Sequence, residues 1–263
     1  ELDKKYISRT SGKINQVHLK TVGGKGKSLI KLRNSSMGSI VNNSIYIPPT
    51  SPTTEKEKIE FIATDDEGNK AFESLTLFPP FRAGIDKTEL TENAPFWEEN
   101  KVRVKVSGGV NILNNNSGFK VKFKKGQVLL FKKVSKNEII FYPPRKKTHK
   151  ISNIVISDDI GNKRHLKILI NDQLSSDIQK SKKTTGLVEV NLSIKGGSGK
   201  IKLKKEAIES TSFINIKKIN NKNYIINNQV DGISRLIFED SNNAKLIFNV
   251  FVKDTMIYIK KEQ

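Results

Sequence analysis

The 263-residue chain contains no cysteine, one tryptophan, two methionines and three histidines. Without cysteine there can be no disulfide, thiolate nucleophile or Cys-ligated zinc site. No apolar run approaches the roughly 18 residues that mark a membrane-spanning helix. No long segment keeps a helical period of apolar residues. Arginine is scarce: seven of the 47 cationic residues are arginine, against 27 acids and a formal charge of +20. Such a charge draws a protein toward polyanions but does not specify a fold.

What the chain does contain is a repeat. Ile62-Ala63-Thr64-Asp65-Asp66-Glu67-Gly68-Asn69-Lys70 returns as Val155-Ile156-Ser157-Asp158-Asp159-Ile160-Gly161-Asn162-Lys163, and in a worn form as Leu236-Ile237-Phe238-Glu239-Asp240-Ser241-Asn242-Asn243-Ala244. Alternating apolar residues flank each copy, with Asp, Gly or Asn at the centre. This is the chemistry of a tight turn joining two antiparallel strands. Upstream of each copy an alternating strand closes on a glycine pair, at Gly23-Gly24, Gly108-Gly109 and Gly196-Gly197, 85 and 88 residues apart. Between the two markers lie Ile45-Tyr46-Ile47-Pro48-Pro49 and Ile140-Phe141-Tyr142-Pro143-Pro144, where proline ends a strand or sits at an edge. The third copy, Tyr224-Ile225-Ile226-Asn227, lacks the prolines. Six or seven short strands in about 85 residues is what a β-sandwich requires.

A strand closing on Gly-Gly, a strand ending at aromatic-X-Pro and a strand running into Asp-X-X-Gly-Asn together resemble the immunoglobulin-like repeats of bacterial surface and periplasmic proteins. The resemblance covers nearly all of the first two units and part of the third. It implies an all-β protein of three tandem Ig-like β-sandwich domains in an elongated array. The expected division is residues 1–80, 101–172 and 187–263 as repeats, with 81–100 and 173–186 as linkers. The first linker is rich in acids, holds Pro95 and follows Pro79-Pro80, and the second is rich in Ser, Lys and Thr. Phe96 and Trp97 in the first are expected either to plug the interdomain joint or to contact a partner.

Lysines concentrate on the strand after each glycine pair. In the second unit Lys120, Lys122 and Lys124 alternate with Phe119, Val121 and Phe123, so the two sets occupy opposite faces of a strand. Lys200, Lys202 and Lys204 repeat the pattern opposite Ile201 and Leu203, and Lys31 and Arg33 do so in shorter form. With Lys125, Arg145, Lys146 and Lys147 the middle unit becomes the most basic, and residues 84–172 carry 18 Lys or Arg against 9 Asp or Glu. Two explanations stand side by side. The lysines form a polyanion-binding row, or they are solvent-facing charges that protect edges from aggregation. Nucleic acid is disfavoured as the polyanion, because arginine forks and exposed interleaved aromatics are lacking. An anionic glycan or lipid headgroup remains.

Catalytic signatures are absent from the sequence. His18, His149 and His165 lie in different settings with no metal-ligand spacing, and there is no Gly-X-Ser-X-Gly elbow. Gly23-Gly24-Lys25-Gly26-Lys27-Ser28 lacks the spacing of a phosphate loop. The Asp-Asp turns have no EF-hand spacing and are expected as turn formers rather than calcium ligands. The sequence thus leads to a non-enzymatic structural or adhesion module of a bacterial envelope, with no cofactor or metal and with protein partners. The start at Glu1 fits a periplasmic or extracellular chain whose leader has been removed.

Overall fold

The Asp-containing turns do join antiparallel strands, and those hairpins are the spine of the fold. Glu57–Thr64 pairs with Lys70–Phe78, Ile151–Ser157 with Lys163–Asn171, and Gly232–Glu239 with Lys245–Lys253. Burial alternates along these strands, as in Ile151–Ser157 and Lys245–Lys253, so one face of each hairpin is committed to a core. The computed structural model describes residues 1–51, 53–92, 100–110, 119–146, 149–182, 188–207, 214–228, 231–254 and 256–262.

Around each hairpin a four-stranded sheet forms. In the first unit its order is Tyr6–Ser8, Lys70–Phe78, Glu57–Thr64, Leu29–Leu32; in the second it is Glu89–Thr91, Lys163–Asn171, Ile151–Ser157, Lys120–Phe123. In the third it is Met256–Lys261, Lys245–Lys253, Gly232–Glu239, Lys202–Ala207. A second sheet faces each of these. It comprises Val17–His18, Ile45–Ile47 and Ser39–Val41 in the first unit, and Arg82–Ile85, Val102–Ser107, Glu138–Phe141 and Phe131–Ser135 in the second. The third unit has Ser175–Lys182, Val188–Lys195, Asn223–Asn228 and Ile214–Lys218. Among the described residues the only helical turns are the short 3-10 segments Lys13–Asn15 and Ser35–Met37.

Three separate apolar clusters fill the three sandwiches. Tyr46 and Phe61 stack edge to face at 5.1 Å in the first, and Tyr224 and Phe238 at 5.0 Å in the third. Phe123, Phe131 and Phe141 form the aromatic group of the second. Such pairs contribute about 0.5–1.5 kcal/mol beyond their buried area.

The stretches expected as linkers carry strands. Residues 81–100 contain Arg82–Ile85, antiparallel to Val102–Ser107, and Glu89–Thr91, parallel to Lys163–Asn171. One segment thus begins in one sheet and crosses to the other, so it belongs to the second sandwich. Its acids Asp86 and Glu89 sit at the crossing and do not make a free spacer. Residues 173–186 likewise include Ser175–Lys182, paired along all eight residues with Val188–Lys195. Because that strand stays in one sheet, the slot that Tyr6–Ser8 and Glu89–Thr91 fill in the other units is vacant for a different strand. Met256–Lys261 takes it, running antiparallel to Lys245–Lys253. Arg235 anchors this last strand through a two-pronged contact with Glu262 at 2.7 and 2.8 Å, and that hydrogen bonding holds the Glu262 carboxyl below the usual carboxylate range.

Candidate functional site

The most specific polar chemistry in the chain lies at one end of each sandwich, where the Asp turn meets the glycine pair. In the second unit Asp158 accepts from the Val110 amide at 2.8 Å, the Asn162 amide at 2.7 Å and the Asn162 side chain at 2.8 Å. In the third, Asp240 accepts from the amides of Ser198, Asn242 and Ala244 at 2.8, 2.8 and 2.9 Å. In the first, Asp65 accepts from the amides of Lys25, Glu67 and Asn69 at 3.1, 3.0 and 2.8 Å and from the Asn69 side chain at 3.0 Å. The Asn69 side chain, followed by the Lys25 amide, lowers the Asp65 pKa. A return bond closes each clip, from the amides of Asp66, Asp159 and Ser241 to the carbonyls of Lys25, Val110 and Ser198. The repeated Asp is therefore a staple between two loops as well as a turn former.

The three clips differ in what covers them. Asp158 and Asp240 are 2% and 3% exposed, while Asp65 remains at the surface. Asn15 of the first unit donates to Asn162 Oδ1 at 2.6 Å, and Thr91 of the second donates to Asp240 Oδ2 at 2.6 Å. Each donor is itself fixed. Ser8 donates its amide to Asn15 Oδ1, and Asn15 Nδ2 donates to Thr10 O, just as the Thr91 amide and carbonyl engage Asn100. Asn242 Nδ2 also reaches Thr91 Oγ1 at 3.4 Å, and Ser198 Oγ donates to Glu89. Each joint thus presents a buried, hydrogen-bonded polar group from one sandwich to the clip of the next. Such groups are costly to leave unpaired.

The glycine pairs explain how the chain enters each joint. Pro79 O accepts from the Gly109 amide at 2.9 Å, and Asp172 O from the Gly197 amide at 2.8 Å. Two residues further on, Phe81 and Leu174 are buried in the second and third cores. Burying each such side chain contributes about 2–3 kcal/mol. Phe81 is thus core of the second sandwich, and its amide reaches back to Thr10 Oγ1 of the first at 2.8 Å. Phe96 and Trp97, expected near this joint, lie outside the described residues.

The structure places the cationic residues elsewhere. Lys120 and Lys122 lie on an edge strand and Lys124 just beyond it; all are exposed, as are Lys125, Arg145 and Lys146. Lys147 lies outside the described residues. Lys202 and Lys204 are on the corresponding edge strand of the third unit, with Lys200 just before it, and Lys204 pairs with Glu239 at 3.4 Å. The two groups belong to different sandwiches. Sequence reasoning missed Asn15 and Thr91, because their partners Asn162 and Asp240 are remote in the chain, and with them Asn100, which holds Thr91. The one available signal was that the three Asp turns differ in their later residues.

Among the described residues no cluster of three or more His, Asp or Glu side chains is placed to hold a metal ion, and no helix is long and apolar enough to cross a membrane.

No family model and no curated protein matches the sequence. Solved structures similar to the chain include a C-terminal 282-residue fragment of intimin in complex with the intimin-binding domain of the translocated intimin receptor. It is 15% identical, with 67% of this chain and 64% of that one covered and a TM-score of 0.42. Extracellular domains 3–5 of Drosophila OTK give 7%, 97%, 91% and 0.32, and the Yersinia pseudotuberculosis adhesin InvE gives 12%, 66%, 58% and 0.24. The chain spans less than two thirds of the intimin fragment and of InvE. The class rests on the strands themselves. Their orders and pairings define an all-β protein of tandem immunoglobulin-like sandwiches.

Proposed function

We propose that the chain is a non-catalytic adhesion or spacer module of a bacterial surface or periplasm, in which stacked sandwiches hold a protein partner at a set distance. The division into repeats falls at Pro79-Pro80 and Asp172-Gln173, where the chain enters each glycine pair. The observation that carries this reading is the pair of equivalent joints: Asn15 on Asn162 and Thr91 on Asp240, both buried. A flexible tether needs no such contacts. Buried, fully engaged polar groups favour one orientation over others.

Small-angle scattering tests the spacer. The full chain is expected to give one extended profile with little flexibility. Asn15→Ala combined with Thr91→Val is expected to keep the sandwiches folded while broadening the distribution of sizes. A profile compact enough for a single globule, or one unchanged by the double variant, overturns the reading.

A second reading follows from the position of the lysines. Lys120, Lys122 and Lys124 are solvent-facing and make no ion pair among the described residues, as a row that meets an anionic glycan or lipid headgroup requires. The chain is then expected to bind immobilised dextran sulfate and to elute as salt screens the charge over about 10 Å at 0.1 M. Replacing all three lysines by glutamate is expected to shift elution to clearly lower salt. Unchanged elution leaves edge protection as their role.

A further inference from the structure

We propose that the outward end of the first sandwich is a socket for another immunoglobulin-like sandwich, entered by a chain segment that carries an apolar plug. The proposal rests on the stacked-sandwich reading and extends it to a third joint of the same geometry.

Gly108 and Gly196 take positive φ, and a Cβ on either would stand 2.1 Å from the carbonyl oxygen of the entering segment, at Pro80 or Gln173. Their neighbours Gly109 and Gly197 would collide with the plugs, Phe81 at 2.7 Å and Leu174 at 2.6 Å. In those two sandwiches the glycine pair is required because another stretch of chain lies against it. The first sandwich keeps the same pair in the same conformation, with φ of +79° and +84°. Yet among the described residues a Cβ on Gly23 would meet nothing within 4 Å, and one on Gly24 would meet only Asp65.

Where the plug would sit there is a cavity of about 370 Å³, lined by Leu2, Leu19, Val22, Phe61 and Phe72. Val22 and Phe72 are 67% and 70% exposed at its rim. Ser28, which lines this cavity, stands where the other sandwiches carry the buried Phe119 and Ile201, one residue before the edge strand. The Asp65–Asn69 clip beside it is assembled but uncovered, whereas its counterparts receive Asn15 and Thr91. At the two filled joints the entering segment supplies the carbonyl and the apolar side chain, and the preceding sandwich supplies the Asn or Thr; among the described residues the apolar seat, the Gly24 amide and the open clip of the first sandwich match that set. The occupant is therefore a sandwich with an entering carbonyl, an apolar side chain two residues later and an Asn or Thr aimed at the clip.

The strand register fixes how to supply it. Gly84 faces Lys105, three residues before Gly108, and Glu1 faces Lys20, three residues before Gly23. Copying Pro79-Pro80-Phe81-Arg82-Ala83 directly ahead of Glu1 should bring the phenylalanine to the cavity. In the chain as it stands, the Gly24 amide is expected to exchange at least about tenfold faster than those of Gly109 and Gly197. The copied segment is expected to slow it by about tenfold, and the same segment with serine in place of phenylalanine is not. No slowing with phenylalanine overturns the socket.

A longer chain, with residues 1–83 copied ahead of Glu1, tests the occupant. The added sandwich is expected to stack, and Asn69→Ala to loosen it in small-angle scattering. Protection of Gly24 by the short segment together with a freely swinging extra sandwich overturns the sandwich as occupant. Should the original joints prove flexible while the segment still protects Gly24, the spacer reading fails and the seat stands.

Discussion

Asp240→Ala is expected to destabilise the third sandwich by about 3–4 kcal/mol, because three backbone amides and the Thr91 hydroxyl lose their common acceptor in a buried setting. Asp158→Ala is expected to act similarly on the second sandwich, where the Val110 amide and both nitrogens of Asn162 depend on it. Asp65→Ala removes the same set of contacts at the surface, where water replaces the acceptor, and is expected to cost much less. A chain of three cores does not unfold in one step, so a single melting temperature would mix the effects. Hydrogen exchange of the core strands Gly232–Glu239, Ile151–Ser157 and Glu57–Thr64 reads each sandwich separately. The joint adds a distinctive consequence. Asp240→Ala is also expected to free Thr91, so exchange should rise at Glu89–Thr91 in the preceding sandwich. Three equal losses would show that burial by the neighbour adds nothing. A loss confined to the third sandwich would show that the joint does not transmit.

The features legible in the sequence were those whose chemistry is local. A Gly- and Asn-bearing turn between alternating strands fixes register within about ten residues, so the three hairpins could be read directly. The lysine-bearing strands were recognisable by alternation, and their place at sheet edges follows from the charge that edges tolerate. The joints were not legible. Asn15 and Asn162 are 147 residues apart, and nothing near either announces a partner. Phe81 follows two prolines and precedes a strand of four residues, so its neighbourhood has the composition of a linker even though its side chain is core. Ser175–Lys182 and Met256–Lys261 show the same limit for topology. Alternation identifies a strand, but the sheet it joins depends on which slot another strand has left open. The glycine pairs were visible as markers, yet the reason for them lies in a carbonyl from a separate segment.

That reason gives the second large effect. In Gly196→Ala the new Cβ would stand 2.1 Å from Gln173 O at a φ of +73°, and in Gly108→Ala 2.1 Å from Pro80 O at +64°. The left-handed backbone alone costs about 1–2 kcal/mol for a residue with a side chain. The overlap is with backbone, which has no rotamer to yield, so the entering segment must move. Moving it breaks the bond from Gly197 to Asp172 and unseats Leu174, a loss of the kind that reaches about 2–5 kcal/mol for a buried leucine. A total of about 3–7 kcal/mol is therefore expected at Gly196 or Gly108, against about 1–2 kcal/mol for Gly23→Ala, which meets nothing. Exchange in the strands Val188–Lys195 and Val102–Ser107, compared with that at Val17–His18, measures it. Equal losses at all three positions would mean that backbone conformation, and not the approaching segment, selected the glycines. Asparagine separates the two causes, since it tolerates the left-handed region but still carries a Cβ. Gly23→Asn is then expected to be nearly neutral, and Gly196→Asn to be almost as damaging as alanine.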